Sequence, residues 1–520
     1  MEAINNKIEV AYQKIIGEKQ KIIYAFVSTF SWGILAHAYC LFNNNMSHDW
    51  LNAFIATPTE ELWKVELGRF FVPIYRSVVR GEIALPWVIG ILAFIFISIS
   101  VFIIIKLFDI DDKLLIIITA GIMVTNITVI SQTATYLYEL DINMFALLLS
   151  LIAVYFWYKS NKISSSLLTI ILLIVSMGLY QSYISVAATM MLILSVVMLI
   201  DTNNLKLTIK KLTIGGISGI VACGLYYVFS IVACNITGVV LQGRTNVFYL
   251  DEITSIPRFY AELLFNLYRH FYFYITHSAY AEWLNKSIII FIVLALLVAL
   301  IKLNKKRKIS ISYNVYIVII ILLIPISVDM MYVLARGSGI HDLMTYSFWM
   351  VFVIVMIVVF KTNAIVLKQI GCIIIGIILC SNIIIANTAY LKKDLEERAT
   401  FSTMTRVVSK VENMEGFDLK NSKIAFIGTI DSLDSVNEFD RVKVITGIYS
   451  DYSIPGDSSK YYYNAYKAYF NYILQYPVVF CDDETHAELK ANCEVEKMPT
   501  FPSDGSISYI NDVLVVKLGE

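Results

Sequence analysis

Eleven apolar stretches, each about twenty residues long, run through this chain, and stretches of that length are what a helix needs to cross a bilayer. They fall at roughly 22–42, 84–105, 114–131, 142–158, 165–181, 184–200, 212–234, 286–302, 312–328, 344–360 and 368–388. A large protein core could in principle hold them, but the composition decides for lipid. The 520 residues are 58% hydrophobic and 16% charged, whereas a soluble domain carries roughly 45–50% and ~25%. The stretches therefore predict a mainly α, polytopic membrane helix bundle of about 11 spans. The pair 165–181 and 184–200, with only Ser182 and Tyr183 between, also suits a re-entrant hairpin. A formal net charge of zero gives no global basic field for nucleic acid.

Lysine and arginine placement sets the expected orientation. Lys106 and Lys113, Lys159 and Lys162, Lys206, Lys210 and Lys211, Lys302 to Lys308, and Lys361 and Lys368 all fall in alternate loops. Together with the mixed-charge stretch 1–21, read as a cytoplasmic N-terminal helix, these mark the inner side. An odd number of spans then puts the C-terminus outside. No cleavable signal is evident, since the first apolar stretch is long enough to span. The transmembrane part covers 22–390, with long outer loops at 43–83 and 235–285. The second loop carries FYAELLFNLYRHFYFYITHSAYAEW, whose Tyr, Phe and Trp beside Arg269 and His270 suit an interfacial helix. From 391 to 520 a charged helix (Leu391 to Glu412), β-like runs at 423–428, 442–446, 477–481 and 513–518, and a Tyr-rich helix (Lys460 to Leu474) predict a small extracytoplasmic α/β domain.

Ionisable groups near span ends are the natural places to seek chemistry, and they gather on the outer side. NNNMSHDWLNAF supplies His48 and Asp49, and EELWKVELGRFFVPIYR supplies Glu60, Glu61, Glu66, Arg69 and Arg76. YLYELDIN supplies Glu139 and Asp141, LYQSY supplies Gln181 and Tyr183, and VLARGSGIHD supplies Arg336 and Asp342. Asp49 could act as a general base on an acceptor hydroxyl or simply cap a helix. Arg69 and Arg336 could clamp a phosphate or diphosphate or anchor at the interface. Asp141 and Glu66 could bind a sugar or cap a helix, and Gln181 and Tyr183 could bind a sugar or brace a tight turn. Cys481 and Cys493 could form a disulfide in an oxidising compartment or stay as two thiols. No HExxH, CxxC pair, Walker loop or GxGxxG after a strand occurs. That argues against a metal centre, ATP-driven transport and a soluble nucleotide-sugar enzyme.

FSWGILAHAYCLFNNNMSHDWLNAF followed by LGRFFVPIYR resembles the opening of the bacterial type II O-antigen glucosyltransferases, the serotype-converting membrane enzymes. The tail KMPTFPSDGSISYINDVLVVKLG resembles that family's ending, and YELDIN and LYQSY stand in matching order. Phe70 stands where the family pattern often carries Trp, so an aromatic is retained. The resemblance implies a GT-C-like glycosyltransferase of the bacterial inner membrane, working on the periplasmic face. Its donor would be polyprenyl-phosphate glucose, and its acceptor O-antigen lipopolysaccharide or a similar surface glycan. An upstream flippase and a glucosyl-phosphate-prenyl synthase would supply the donor. Asp49 is the base candidate on this resemblance. A phosphate leaves without protonation, so no cofactor is required, although a divalent cation is compatible. The competing readings are an O-antigen polymerase or ligase-like enzyme, a lipid or polysaccharide transporter, and a sensor. A transporter should carry polar groups through mid-membrane with gates on both faces, whereas here the polarity is one-sided.

Overall fold

A computed structural model describes residues 18–43, 53, 57–242, 256–307, 311–334, 340–428, 445 and 466–519. Every one of the eleven apolar stretches folds as helix. Among the described residues nine helices are long and apolar enough to cross a membrane. The other two forecast spans fall on helices of 17 residues. At 1.5 Å per residue these rise about 25 Å, short of a ~30 Å hydrocarbon layer.

In chain order the helices are α1 (Lys19–Asn43), α2 (Pro58–Glu66), α3 (Val72–Tyr75), α4 (Pro86–Phe108), α5 (Lys113–Thr125), α6 (Ile127–Thr135), α7 (Leu140–Lys159), α8 (Ile163–Leu179), α9 (Ile184–Thr202) and α10 (Leu205–Thr237). Then follow α11 (Ile256–Ile275), α12 (Glu282–Arg307), α13 (Ile311–Val328), α14 (Met330–Leu334), α15 (Tyr346–Thr362) and α16 (Ile365–Glu412). Helix α7 lies at the centre of the bundle, packed by α4, α8 and α9. Its Ser150 meets Ser176 of α8 at 2.9 Å. The forecast single span 114–131 is interrupted: Asn126, in extended conformation, separates α5 from α6. The Asn126 side chain takes over the backbone groups freed by the break. Its Oδ1 accepts from Val129 N at 3.0 Å, and its Nδ2 donates to Ile122 O and Met123 O at 3.0 and 2.9 Å. Such compensation is what lets a helix break at membrane depth.

The two ends of the bundle differ in chemistry. At one end lysines join neighbouring loops: Lys21 to Asp111 at 2.6 Å, Lys106 to Glu18 at 2.7 Å and Lys368 to Asp112 at 2.8 Å. Lys302 donates to Thr362 O there at 2.6 Å. The opposite end gathers α2, α3 and three short 3-10 turns, Leu137–Glu139, Gln181–Tyr183 and Asp342–Met344. Both 17-residue helices meet one of these turns at that end, where the chain folds back before completing a full-length span.

The composition change near Tyr390 is not a break in the backbone. Helix α16 continues through it for 48 residues, on the order of 70 Å, and carries the C-terminal sheet beyond the bundle. That sheet comprises β1 (Lys423–Ile427), β2 (Val479–Phe480), β3 (Ile507–Ile510) and β4 (Val513–Lys517) in the order β2-β1-β4-β3. β1 runs parallel to β2 and β4, while β3 and β4 form an antiparallel hairpin. Its two turn residues, Asn511 and Asp512, both have positive φ, the conformation that a two-residue hairpin turn requires. The forecast runs at 423–428, 477–481 and 513–518 became strands, and β3 is an addition. Apart from buried Ile445, the run 442–446 lies outside the described residues. Two short helices, α17 (Asp483–Lys490) and α18 (Cys493–Lys497), precede the hairpin. Cys481 is buried and Cys493 exposed.

Candidate active site

The candidate site is assembled by three pieces of chain at the end opposite the lysines. Helix α2 starts cleanly: Thr57 caps it by accepting from Glu60 N at 3.2 Å, Pro58 fills the first turn, and Glu60 and Glu61 complement the helix dipole. Glu60 and Lys64, four residues apart, share one face and pair at 3.1 Å.

After α2 the chain turns at Gly68, whose φ of +76° favours glycine. The Gly68 carbonyl accepts from Tyr226 OH at 3.1 Å, and Phe71 N donates to Gly178 O at 3.0 Å. A methyl on Gly178 would sit 2.6 Å from the Phe71 ring and 3.1 Å from Phe70. Gly178→Ala is therefore expected to cost about 1–3 kcal/mol through overpacking, read as a lower unfolding midpoint in detergent. The same change should weaken activity, because it displaces the loop that carries Arg69.

That loop points Arg69 at Glu139, presented by the 3-10 turn before α7. Arg69 Nη1 lies 3.0 Å from Glu139 Oε2, and Lys64 Nζ lies 2.5 Å from Oε1. Beyond α3 a single wide turn, Arg76–Arg80, places two more guanidiniums on the inner side. Arg76 binds Glu60. Arg80 Nε lies 2.9 Å from Asp141 Oδ2, an oxygen that also accepts from Tyr75 OH at 3.0 Å. Four cations and three carboxylates thus interlock. All are at least nine-tenths buried except Arg69, whose side chain is 17% exposed. Its guanidinium lies over the Tyr180 ring, 4.5 Å from the centroid. Burial works to lower the Arg69 pKa, but the Glu139 charge together with Tyr180, Tyr138 and Tyr136 outweighs it and holds the group above its ordinary value. The buried Arg69 Nε has no hydrogen-bond partner among the described residues.

The other forecast residues divide. Asp141 joins the cluster, although its Oδ2 is taken by Arg80 and Tyr75. Glu66 lies outside the cluster and receives Gln242 Nε2 at 3.2 Å. Gln181 is a strut, donating to Leu67 O at 2.6 Å and Tyr226 OH at 2.8 Å. Tyr183 is fully buried, 3.3 Å from Gln132 Nε2. His48, Asp49 and Arg336 lie outside the described residues, and described segments end beside them at Asn43 and Ile340. Sequence reasoning missed Lys64 and Arg80 as members of the cluster. Their signal was the i, i+4 spacing of Glu60 with Lys64 and of Arg76 with Arg80. Among the described residues no group of three or more His, Cys, Asp or Glu side chains could hold a metal ion.

A family model described as glucosyl transferase GtrII matches residues 38–360, more than half of the chain. The match takes in all of the buried charge cluster and stops before α16 and the C-terminal sheet. Comparisons with curated proteins and with solved structures found no match.

Proposed function

We propose a donor, an acceptor and a working face for this chain, which belongs to the glucosyl transferase GtrII family and is a membrane glycosyltransferase. The donor is polyprenyl-phosphate glucose, supplied by a synthase and a flippase. The acceptor is O-antigen or a similar surface glycan. The working face is the arginine-bearing end of the bundle, taken as periplasmic because the lysine-bearing end suits the cytoplasm. The inner bacterial membrane is the setting this requires, with the C-terminal α/β domain on the same side as the site.

One observation carries the donor assignment. The cluster holds four cations against three carboxylates, one positive charge in excess, and a sugar phosphodiester brings one negative charge. Arg69 is the cation with exposed surface, so it meets the phosphate, while Glu139 and the Tyr180 ring keep it in place. Arg336 supplies a second guanidinium from its own loop. The acceptor hydroxyl gives its proton to the Asp49 carboxylate and forms a bond to the anomeric carbon. The bond from that carbon to the phosphate oxygen breaks, and its electron pair leaves on the phosphate, whose charge Arg69 stabilises. That leaving group needs no proton and no metal, and a divalent cation could still assist it. His48 lies next to Asp49 in the first loop and contributes to sugar binding. Asp141, Gln181 and Tyr183 act through position, bracing the elements that carry Glu139 and Arg69, and Glu66 holds the far side of the same loop.

The test is surface-glycan analysis of cells with and without this protein, co-expressed with flippase and synthase. The expected product is a single hexose branch that depends on the prenyl donor. Arg69→Ala should lower the rate on the order of a hundredfold while the protein still inserts. Longer chains in place of single branches would move the reading to a polymerase, and full activity in Arg69→Ala would remove Arg69 from the phosphate site.

A further inference from the structure

A second polar site stands at the same end of the bundle, separate from the Arg69 cluster. His270, on α11, sets its Nδ1 3.5 Å from Asp329 Oδ2, at the junction of α13 and α14. Asp329 is 2% exposed. His270 faces this carboxylate at ion-pair distance, and no hydrogen bond joins Nδ1 to Oδ2. The His270 side chain is one-third exposed, yet its Nδ1 is buried. The imidazole therefore turns Nδ1 inward to the carboxylate and leaves the rest of the ring, including Nε2, toward the outside. Tyr332 packs edge-on to it at 4.4 Å between centroids, and Tyr274 follows at 6.3 Å.

Two other histidines are committed on both nitrogens. His277 Nδ1 accepts from Ala279 N at 3.1 Å, so its Nε2 donates to buried Asp342 at 3.0 Å. His37 is held between Tyr390 OH at 2.7 Å and Val124 O at 2.8 Å. Those two fix the fold, whereas His270 keeps one edge available beside an anchoring acid, the arrangement that orients an imidazole for a ligand.

The charge of the site selects the ligand. A buried carboxylate disfavours a phosphate at its side, and the surplus cation lies in the Arg69 cluster, so the donor headgroup belongs there. A neutral, hydroxyl-rich ligand fits the dyad, with tyrosine rings to face it. The two sites are joined by neighbouring side chains. Arg69 lies over Tyr180, Tyr180 is 5.9 Å from Tyr183, and Tyr183 is 5.8 Å from Tyr346. The next residue, Ser347, donates to Val328 O at 2.6 Å, directly before Asp329. We propose that His270, oriented by Asp329 and flanked by Tyr332 and Tyr274, is a subsite for a hydroxyl group of the saccharide acceptor. This rests on the transferase reading given above.

The experiment uses the full-length protein in nanodiscs with polyprenyl-phosphate glucose and, as acceptor probes, the neutral methyl glycosides of glucose, galactose, mannose and rhamnose. Saturation-transfer NMR is run in parallel without donor. In His270→Ala the acceptor KM should rise at least tenfold, with donor KM unchanged, and His270→Gln should recover most of the loss because its amide still reaches a hydroxyl. The saturation-transfer signal should be present in the wild type and lost in His270→Ala. An acceptor KM within twofold of wild type, equal signals in both proteins or no signal in the wild type overturns the subsite. If the wild type transfers hexose to none of the probes yet binds them through His270, the subsite stands and the proposed donor and acceptor assignment is what fails.

Discussion

Glu139→Ala is expected to destabilise the protein by about 3–5 kcal/mol, the cost of breaking a buried ion pair by removing one partner. Glu139 is 3% exposed and is shared between Lys64 and Arg69. Without it, Lys64, whose side chain is 4% exposed, keeps only Glu60, and Glu60 already serves Arg76. The loss should therefore spread through the cluster rather than stay local. Two companion variants separate this from a generic effect. Adding Lys64→Met to Glu139→Ala should recover part of the stability, because it removes the stranded charge; the non-additivity measures the coupling. Glu66→Ala, whose partner is the neutral Gln242, should cost under about 1 kcal/mol. Thermal unfolding of the purified proteins in detergent reads all three. A Glu139→Ala midpoint indistinguishable from that of Glu66→Ala would mean that the cluster does not hold this end of the bundle together.

The cluster explains which parts of the molecule were legible in the sequence. The apolar runs were legible as helices because a bilayer allows few alternatives: all eleven are helical, and nine helices among the described residues are long and apolar enough to cross a membrane. The break at Asn126 was not, because one polar residue in an apolar run looks like any tolerated substitution. Only the hydrogen bonds that Asn126 gives to Ile122 and Met123 and accepts from Val129 reveal that it ends one helix and caps the next. Arg69 was legible as a charge at the end of the bundle away from the loop lysines, and its pairing with Glu139 was not, since 70 residues of chain separate them. Gln181 and Tyr183 drew attention as polar groups at a tight turn. Their hydrogen bonds to Leu67, Tyr226 and Gln132 identify them as braces. His270 was visible as part of an aromatic interfacial segment, and nothing local to it pointed to Asp329, which reaches it from the end of another helix. The strand β3 was missed for a simpler reason: ISYI is only four residues long and leans on β4 for its register.

Asp49→Asn is expected to lower glucosyl transfer on the order of a thousandfold, within the range for removing a general base, and to leave insertion and donor binding intact. The argument turns on where charge moves. In the proposed mechanism the donor phosphate leaves as an anion already stable in water, so Arg69 would assist a step that runs without a proton. At the acceptor end a hydroxyl must lose its proton as it attacks, and an amide cannot take it. Asp49→Asn and Arg69→Ala should therefore fail differently. Asp49→Asn keeps its donor KM and loses kcat, because the lost group acts on the attacking oxygen. Arg69→Ala weakens donor binding as well as turnover, because phosphate is present in both the ground state and the transition state. Asp49→Glu is the informative third variant: it retains a carboxylate one methylene longer and should recover part of kcat. Steady-state kinetics with purified donor reads all three. Full activity in Asp49→Asn would assign the proton to another group on the same face, and the His270 imidazole would be the first to examine, through the pH dependence of kcat in His270→Gln.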